Sequence, residues 1–562
     1  KAMEDGMTIS PLADYKGEPL YKIVYIAEHS KDLDEAKRLY GDRFVFCESK
    51  LDGLDGGYVN GELITSEKLT VKCGEGTATY DPAEKTLTLN NAEITESNLA
   101  ADNYGIRAKS SDDLNIKLIG NNKINLPENG GIMVNDDVYI YGDGKLTIEA
   151  HGEGISAFGN VGIYEKAELD IMSYDGIAIA SEKNVYIDNS KVKAVGLDAG
   201  IDAATLDIKN SEAVLEATEN ERNAAFMRNE NGITSYINIV NSKVKAKSYY
   251  PALFTPGSII FDGGEAECIS TDDSSIWATG NIVFRGGAKV NLEGKYPAGC
   301  LGDFYMYAAE VIAKNTSQEN IPAIDYEREI TVFEDYHFTY AMAEDSEGAK
   351  IDLLERDETK FLNLYKKVHF KTEPIMLVYE IPFAKEVKLG GNTAPGKEVF
   401  ELEIFNIGNG NAEAYKDVTV TARAETNGAK KYMGKIVFSG PKYQFRELVS
   451  EGFYVREKNG GKSGWKYSDQ VYQIQMERSE NGSDFENYII HPVKVMVVQN
   501  EIVYEIMNEP VKEMNFVNIY TENRNSTTIH IENPNRKPDE KNPNTGAEVS
   551  IAPTVLVLEK RG

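Results

Sequence analysis

The chain has 562 residues, enough for several domains with cores of their own. Ninety acidic against 60 basic residues give a formal charge of −30, which argues against a phosphate-backbone partner, so no nucleic acid is expected. No apolar run approaches the ~18 residues of a bilayer span, and the four cysteines and six histidines are too scattered for a disulfide framework or metal centre.

Residues 1–57 read as a small α/β segment or cap, with a strand at Tyr21–Ile26, a helix at Leu33–Tyr40 and a strand at Arg43–Cys47. The run Asp52-Gly53-Leu54-Asp55-Gly56-Gly57 lacks the spacing and terminal glutamate of a calcium loop, and reads as a glycine-rich linker. No metal or cofactor is expected, and buried free thiols are expected at the cysteines.

From residue 58 to 315 a small-then-apolar step recurs. It stands at Gly105-Ile106, Gly131-Ile132, Gly154-Ile155, Gly176-Ile177, Gly200-Ile201, Ala225-Phe226, Ala252-Leu253, Ser275-Ile276 and Gly299-Cys300, spaced 22 to 27 residues apart. Such a period marks stacked units that bury their apolar faces only against one another. Within each unit alternating strands flank an Asn or Gly turn, as in Tyr186–Ala194 around Asn189 and Ile239–Ala246 around Asn241. About three strands per coil predict a right-handed parallel β-helix. Tyr58–Thr65 and Ala78–Ala92 resemble the opening coils of a module found in exported proteins of anaerobic Gram-positive gut bacteria, often described as carbohydrate-binding. That resemblance implies a secreted protein with a glycan partner.

Polysaccharide lyases and glycoside hydrolases also use β-helices, with paired acids for acid/base work. Candidates are Asp112-Asp113, Asp136-Asp137 and Asp272-Asp273, with the step His151-Gly152. Each acid pair precedes a strand, where turn chemistry alone favours aspartate, and the pairs recur in different coils. They are therefore read as turn residues, and no enzyme activity on an external substrate is expected.

Residues 316–373 resume alternation, as in Glu329–Phe333, and read as a β cap or connector. From 374 to 524 longer alternating strands predict an antiparallel β-sandwich of pilin or immunoglobulin-like type: Ile381–Val387, Phe400–Ile404, Val418–Ala422, Ile436–Phe438, Phe453–Glu457 and Phe516–Tyr520. Three inward slots there are polar: Lys385 after Ile381 and Phe383, Glu457 after Phe453 and Val455, and Asn518 between Phe516 and Tyr520. Burial pushes lysine and glutamate towards neutral forms. A neutral Lys385 amine could attack the Asn518 carboxamide with Glu457 moving the protons. On spacing alone, a buried Lys–Glu ion pair beside an ordinary asparagine is the simpler account.

Phe383-x-Lys385-x-Val387, Pro395–Phe400, Gly452–Glu457 and Phe516-x-Asn518-x-Tyr520 resemble the isopeptide-linked pilin domain of Gram-positive surface proteins. The departure is Gly452-Phe453-Tyr454, where that family has a Gly-Thr-Tyr-type strand. The resemblance implies an autocatalytic Lys385–Asn518 bond assisted by Glu457.

Residues 525–562 read as a disordered linker rich in Asn, Pro and charge. Asn542-Pro543-Asn544-Thr545-Gly546, a short apolar run and Lys560-Arg561 follow in the order of a sortase sorting signal. Asn542 stands where leucine is usual, and the apolar run is short. The resemblance implies attachment to peptidoglycan. The expected protein is a cell-wall-anchored adhesin or glycan-binding protein that meets host or plant glycans or host surface proteins. An extracellular polysaccharide lyase or glycoside hydrolase and a passive stalk are the alternatives.

Overall fold

A computed structural model of the chain describes residues 7–15, 18–27, 45–48, 54, 57–97, 102–109, 112–229, 234–317, 321–326, 330–345, 347–356, 364–405, 419–443, 452–478, 485–498 and 501–522. It is all-β and divides into two units, 1–373 and 374–562. No helix among the described residues is long and apolar enough to cross a membrane.

The first unit is a parallel β-solenoid of about nine turns. Each coil gives one strand to each of three sheets, of 12, 13 and 13 strands. Alternation drives the packing. In Lys145–Ala150, Leu146 and Ile148 point inward and stack on Leu169 and Ile171 of Glu168–Ser173, all at most 1 % exposed. Polar neighbours stay outside. The corners take positive φ where Asn and Gly were expected, with Asn189 at 49°, Asn241 at 47° and Gly263 at 72°.

One inward stack runs through Ile106, Ile132, Ile155, Ile179, Ile201, Ala225, Leu253, Ile276, Ala298 and Ile324. This corrects the repeat read from sequence at three coils. Ala178-Ile179 carries the step rather than Gly176-Ile177, and Ala298 carries it rather than Cys300. Ala225 points inward and Phe226 outward. Small inward residues are as acceptable to a thin core as large ones, so apolar character alone did not fix the phase. A one-residue slip turns a side chain to the opposite face of the strand.

Antiparallel strands close both ends of the stack. Thr70–Cys73, Gly76–Asp81 and Thr86–Asn90 form a meander before the first parallel pairing. Ile324–Tyr326 and Ile330–Val332 pair in parallel with Tyr296–Cys300 and Phe304–Met306, so the coils run past residue 315. Lys367–Pro374 then lies antiparallel on Ala309–Asn315.

Near the start of the chain, Met7–Tyr15 pairs antiparallel with Glu18–Ala27, which pairs in parallel with Val45–Glu48. The first of these strands was not anticipated: it contains Pro11, which weakens a strand signal. The helix expected at Leu33–Tyr40 lies outside the described residues.

The second unit carries a ten-stranded sheet. Its third strand in order, Met376–Leu389, lies between Lys431–Pro441 (antiparallel) and Met514–Tyr520 (parallel). Lys397–Phe405 gives residues 397–401 to Thr419–Asn427 and residues 402–405 to Phe453–Glu457, so one strand joins two halves. Ile381, Phe383, Ile436 and Phe438 from one half share an apolar cluster with Phe453, Val455, Ile474 and Ile490 from the other.

Candidate functional site

Within that apolar cluster three polar side chains meet. Alternation along Met376–Leu389 turns Ile381, Phe383, Lys385 and Val387 to the interior. Met514–Tyr520 runs beside it with Lys385 opposite Phe516 and Val387 opposite Asn518. Lys385 and Asn518 thus project from the same face of adjacent parallel strands. Glu457 arrives at the end of Phe453–Glu457, whose burial pattern places it inward after Phe453 and Val455.

The Lys385 Nζ lies 2.8 Å from each oxygen of the Glu457 carboxylate. Asn518 Nδ2 donates to Glu457 Oε1 at 2.8 Å. The Ser468 backbone N–H donates to Asn518 Oδ1 at 2.8 Å and to Glu457 Oε2 at 3.1 Å. Both the Lys385 and Glu457 side chains are wholly buried. The Phe400 ring covers the amine with its centroid 4.5 Å from Nζ, and Trp465 and Tyr467 pack edge-on against that ring.

Burial pushes the lysine amine down to about 8 from its ordinary 10.5, although the charge and hydrogen bond of Glu457 act in the opposite direction. Breaking such a pair by removing one partner would strand a charge in the interior. Chemically, the site combines a nucleophile near neutrality, a carboxylate touching both amine and amide, and a donor on the amide oxygen.

No known family model matches this chain, and no curated protein matches it. The chemistry therefore rests on the residues themselves.

The acidic pairs are brought together only in part. Asp113, Asp136 and Asp137 converge from adjacent coils, with carboxylate oxygens within 4.8 Å of one another. Burial and the charges of Asp137 and Asp136 raise the Asp113 carboxyl above its usual range. Asp137 is held low: burial alone would raise it, but hydrogen bonds from Tyr139 and Asn160 outweigh that. Asp272 pairs with Lys295 at 3.1 Å, and Asp273 accepts from the N–H of Ser274 at 2.6 Å, as a turn residue does. His151 stands apart, 3.7 Å from Asp175.

Cys73, Cys268 and Cys300 are buried free thiols, and burial raises each above the ordinary thiol range. The motif Asn542-Pro543-Asn544-Thr545-Gly546 and most of the Asp52–Gly57 run lie outside the described residues. Sequence reasoning missed Ser468, which acts through its backbone N–H. It also missed an outward row of aromatics on the solenoid, hidden by the slip at Phe226.

Proposed function

We propose that this chain is a Gram-positive cell-wall surface protein that carries its β-solenoid as an adhesive, glycan-binding module. In this reading the second unit is a sandwich locked by an autocatalytic isopeptide bond between Lys385 and Asn518, and the Asn542–Gly546 motif serves sortase attachment. The observation that carries it is the buried contact of Lys385, Glu457 and Asn518, with one carboxylate 2.8 Å from both the amine and the amide nitrogen.

In the proposed step the neutral Lys385 amine attacks Cγ of Asn518. The Ser468 N–H holds the oxygen on which negative charge develops, as an oxyanion donor does. Glu457 takes the proton that the amine sheds and returns it to Nδ2, which it already touches. The Cγ–Nδ2 bond breaks, ammonia leaves, and an Nζ–Cγ amide remains. Atoms balance without any outside oxidant or cofactor. Phe400, Trp465 and Tyr467 keep water from competing for the carbonyl.

The bond encloses nearly all of the second unit's described strands, so it restricts the unfolded chain much as a long-loop disulfide does, worth about 5 kcal/mol. The test is the intact mass of the purified chain. A mass short of the sequence value by one ammonia is expected, with the full value restored in Asn518→Ala and Glu457→Gln. A wild-type chain at full mass, with no branched Lys385–Asn518 peptide after digestion, rules the bond out.

A further inference from the structure

The outward positions of one solenoid sheet form a row in register: Asp202, Phe226, Phe254, Trp277, Gly299 and Asp325. Three aromatic side chains stand on consecutive coils, all partly exposed. Phe226 and Phe254 stack with centroids 5.2 Å apart and planes 11° from parallel. Trp277 leans over the next coil onto Gly299. A Cβ there would stand 2.3 Å from the indole, so glycine is what lets the ring lie down on the sheet. Phe226, Phe254 and Trp277 line a groove of ≈ 710 Å³ whose sides include Glu221, Asp273 and Asp325.

The charge of the groove narrows the ligand. Its carboxylates accept hydrogen bonds and repel anions. The one guanidinium on its rim among the described residues, Arg222, is taken up by Asp198 at 2.8 Å and Glu219 at 3.3 Å, leaving little for a carboxylate or sulfate ligand. An occupant must offer an apolar face to the indole and donors to the rim. Sugars present flat C–H faces to aromatic rings and hydroxyl donors at their edges.

We propose that this groove binds a linear, uncharged glycan, with the Trp277 indole as its sugar platform, the stacked Phe226–Phe254 pair as the apolar wall beside it and the rim carboxylates accepting its hydroxyls. The inference deepens the adhesive reading of the solenoid and rests on it, while standing apart from the cross-link in the second unit.

The experiment titrates the full chain with cellohexaose, chitohexaose, xylohexaose and mannohexaose, with polygalacturonate and an oligolysine peptide as charged controls. Binding is followed by calorimetry and by tryptophan emission. Saturable binding of at least one neutral oligosaccharide is expected, with a shift in emission, and with affinity at least tenfold weaker in Trp277→Ala and in Phe254→Ala. The wild-type emission change keeps the test decisive even if a variant fails to fold. Preference for polygalacturonate or oligolysine over every neutral sugar overturns the inference. A glycan bound without emission change, and equally well by folded Trp277→Ala, overturns the groove but spares the glycan-binding reading. No sugar bound at all overturns both, whatever mass the second unit shows.

Discussion

Lys385 is the most consequential single residue in the described chain, because its charge state sets both reactivity and stability. Before any bond forms, the folded site releases the lysine proton near pH 8, while the unfolded chain holds it up to 10.5. Between these values the unfolded state binds the extra proton, so stability rises with pH. Below about 8 both states are protonated and the burden of a buried cation is fully present. Above 10.5 both are neutral and the gain is complete. The variant Asn518→Ala, unable to cross-link, should therefore resist urea progressively better from pH 8 to 10.5. Lys385→Met in the same background should abolish that slope. A slope that is flat or reversed would mean that the amine stays charged in the folded state. Lys385, Glu457 and Asn518 were legible in the sequence because each breaks an apolar alternation. Ser468 was not, because any residue but proline supplies a backbone N–H.

At the scale of elements, the register of the solenoid produces an ordering that no single coil reveals. Along one sheet the outward residues run Lys145, Glu168, Lys191, Glu212, Lys243, Glu265, Lys289, Glu310 and Lys371, each beside the next. Signs alternate without exception, and Lys145–Glu168 closes to 2.8 Å. Exposed pairs of this kind add little stability singly, but pairing a coil with the next but one, as Lys145 with Lys191, would set like charges side by side. Glu212→Lys places three cations in succession and should destabilise the solenoid by about 1 kcal/mol, from two unfavourable cross-strand pairs. Added salt should recover most of that loss, and Glu212→Gln should show only a fraction of it. A loss that salt leaves untouched would assign the effect to packing. The repeat itself was readable from spacing, and so were the Asn and Gly corners, whose backbone demand is local. Phase was harder to read. Ala225 and Phe226 both satisfy an apolar pattern, and only pairing with Ile201 and Leu253 decides which one enters the core. The aromatic row lay on the wrong side of that choice.

For the whole molecule, the question is whether the two units stand or fall together. Among the described residues their apolar clusters share no member: one runs from Leu54 to Phe370 and the other from Ile381 to Phe516. A solenoid draws its stability from nearest-neighbour coils, whereas the proposed cross-link constrains only the chain between Lys385 and Asn518. Unfolding should therefore show two transitions. Each unit carries one of the two tryptophans, Trp277 in the solenoid and Trp465 beside Phe400, so each reports on its own surroundings. In Trp277→Phe the remaining emission follows the second unit, and adding Asn518→Ala should move its midpoint sharply down. In Trp465→Phe the emission follows the solenoid, and Asn518→Ala should leave that midpoint where it was. If both midpoints fall together, the units unfold as one cooperative body, and the bond stabilises the coils as well. If neither moves, Lys385 and Asn518 were never joined.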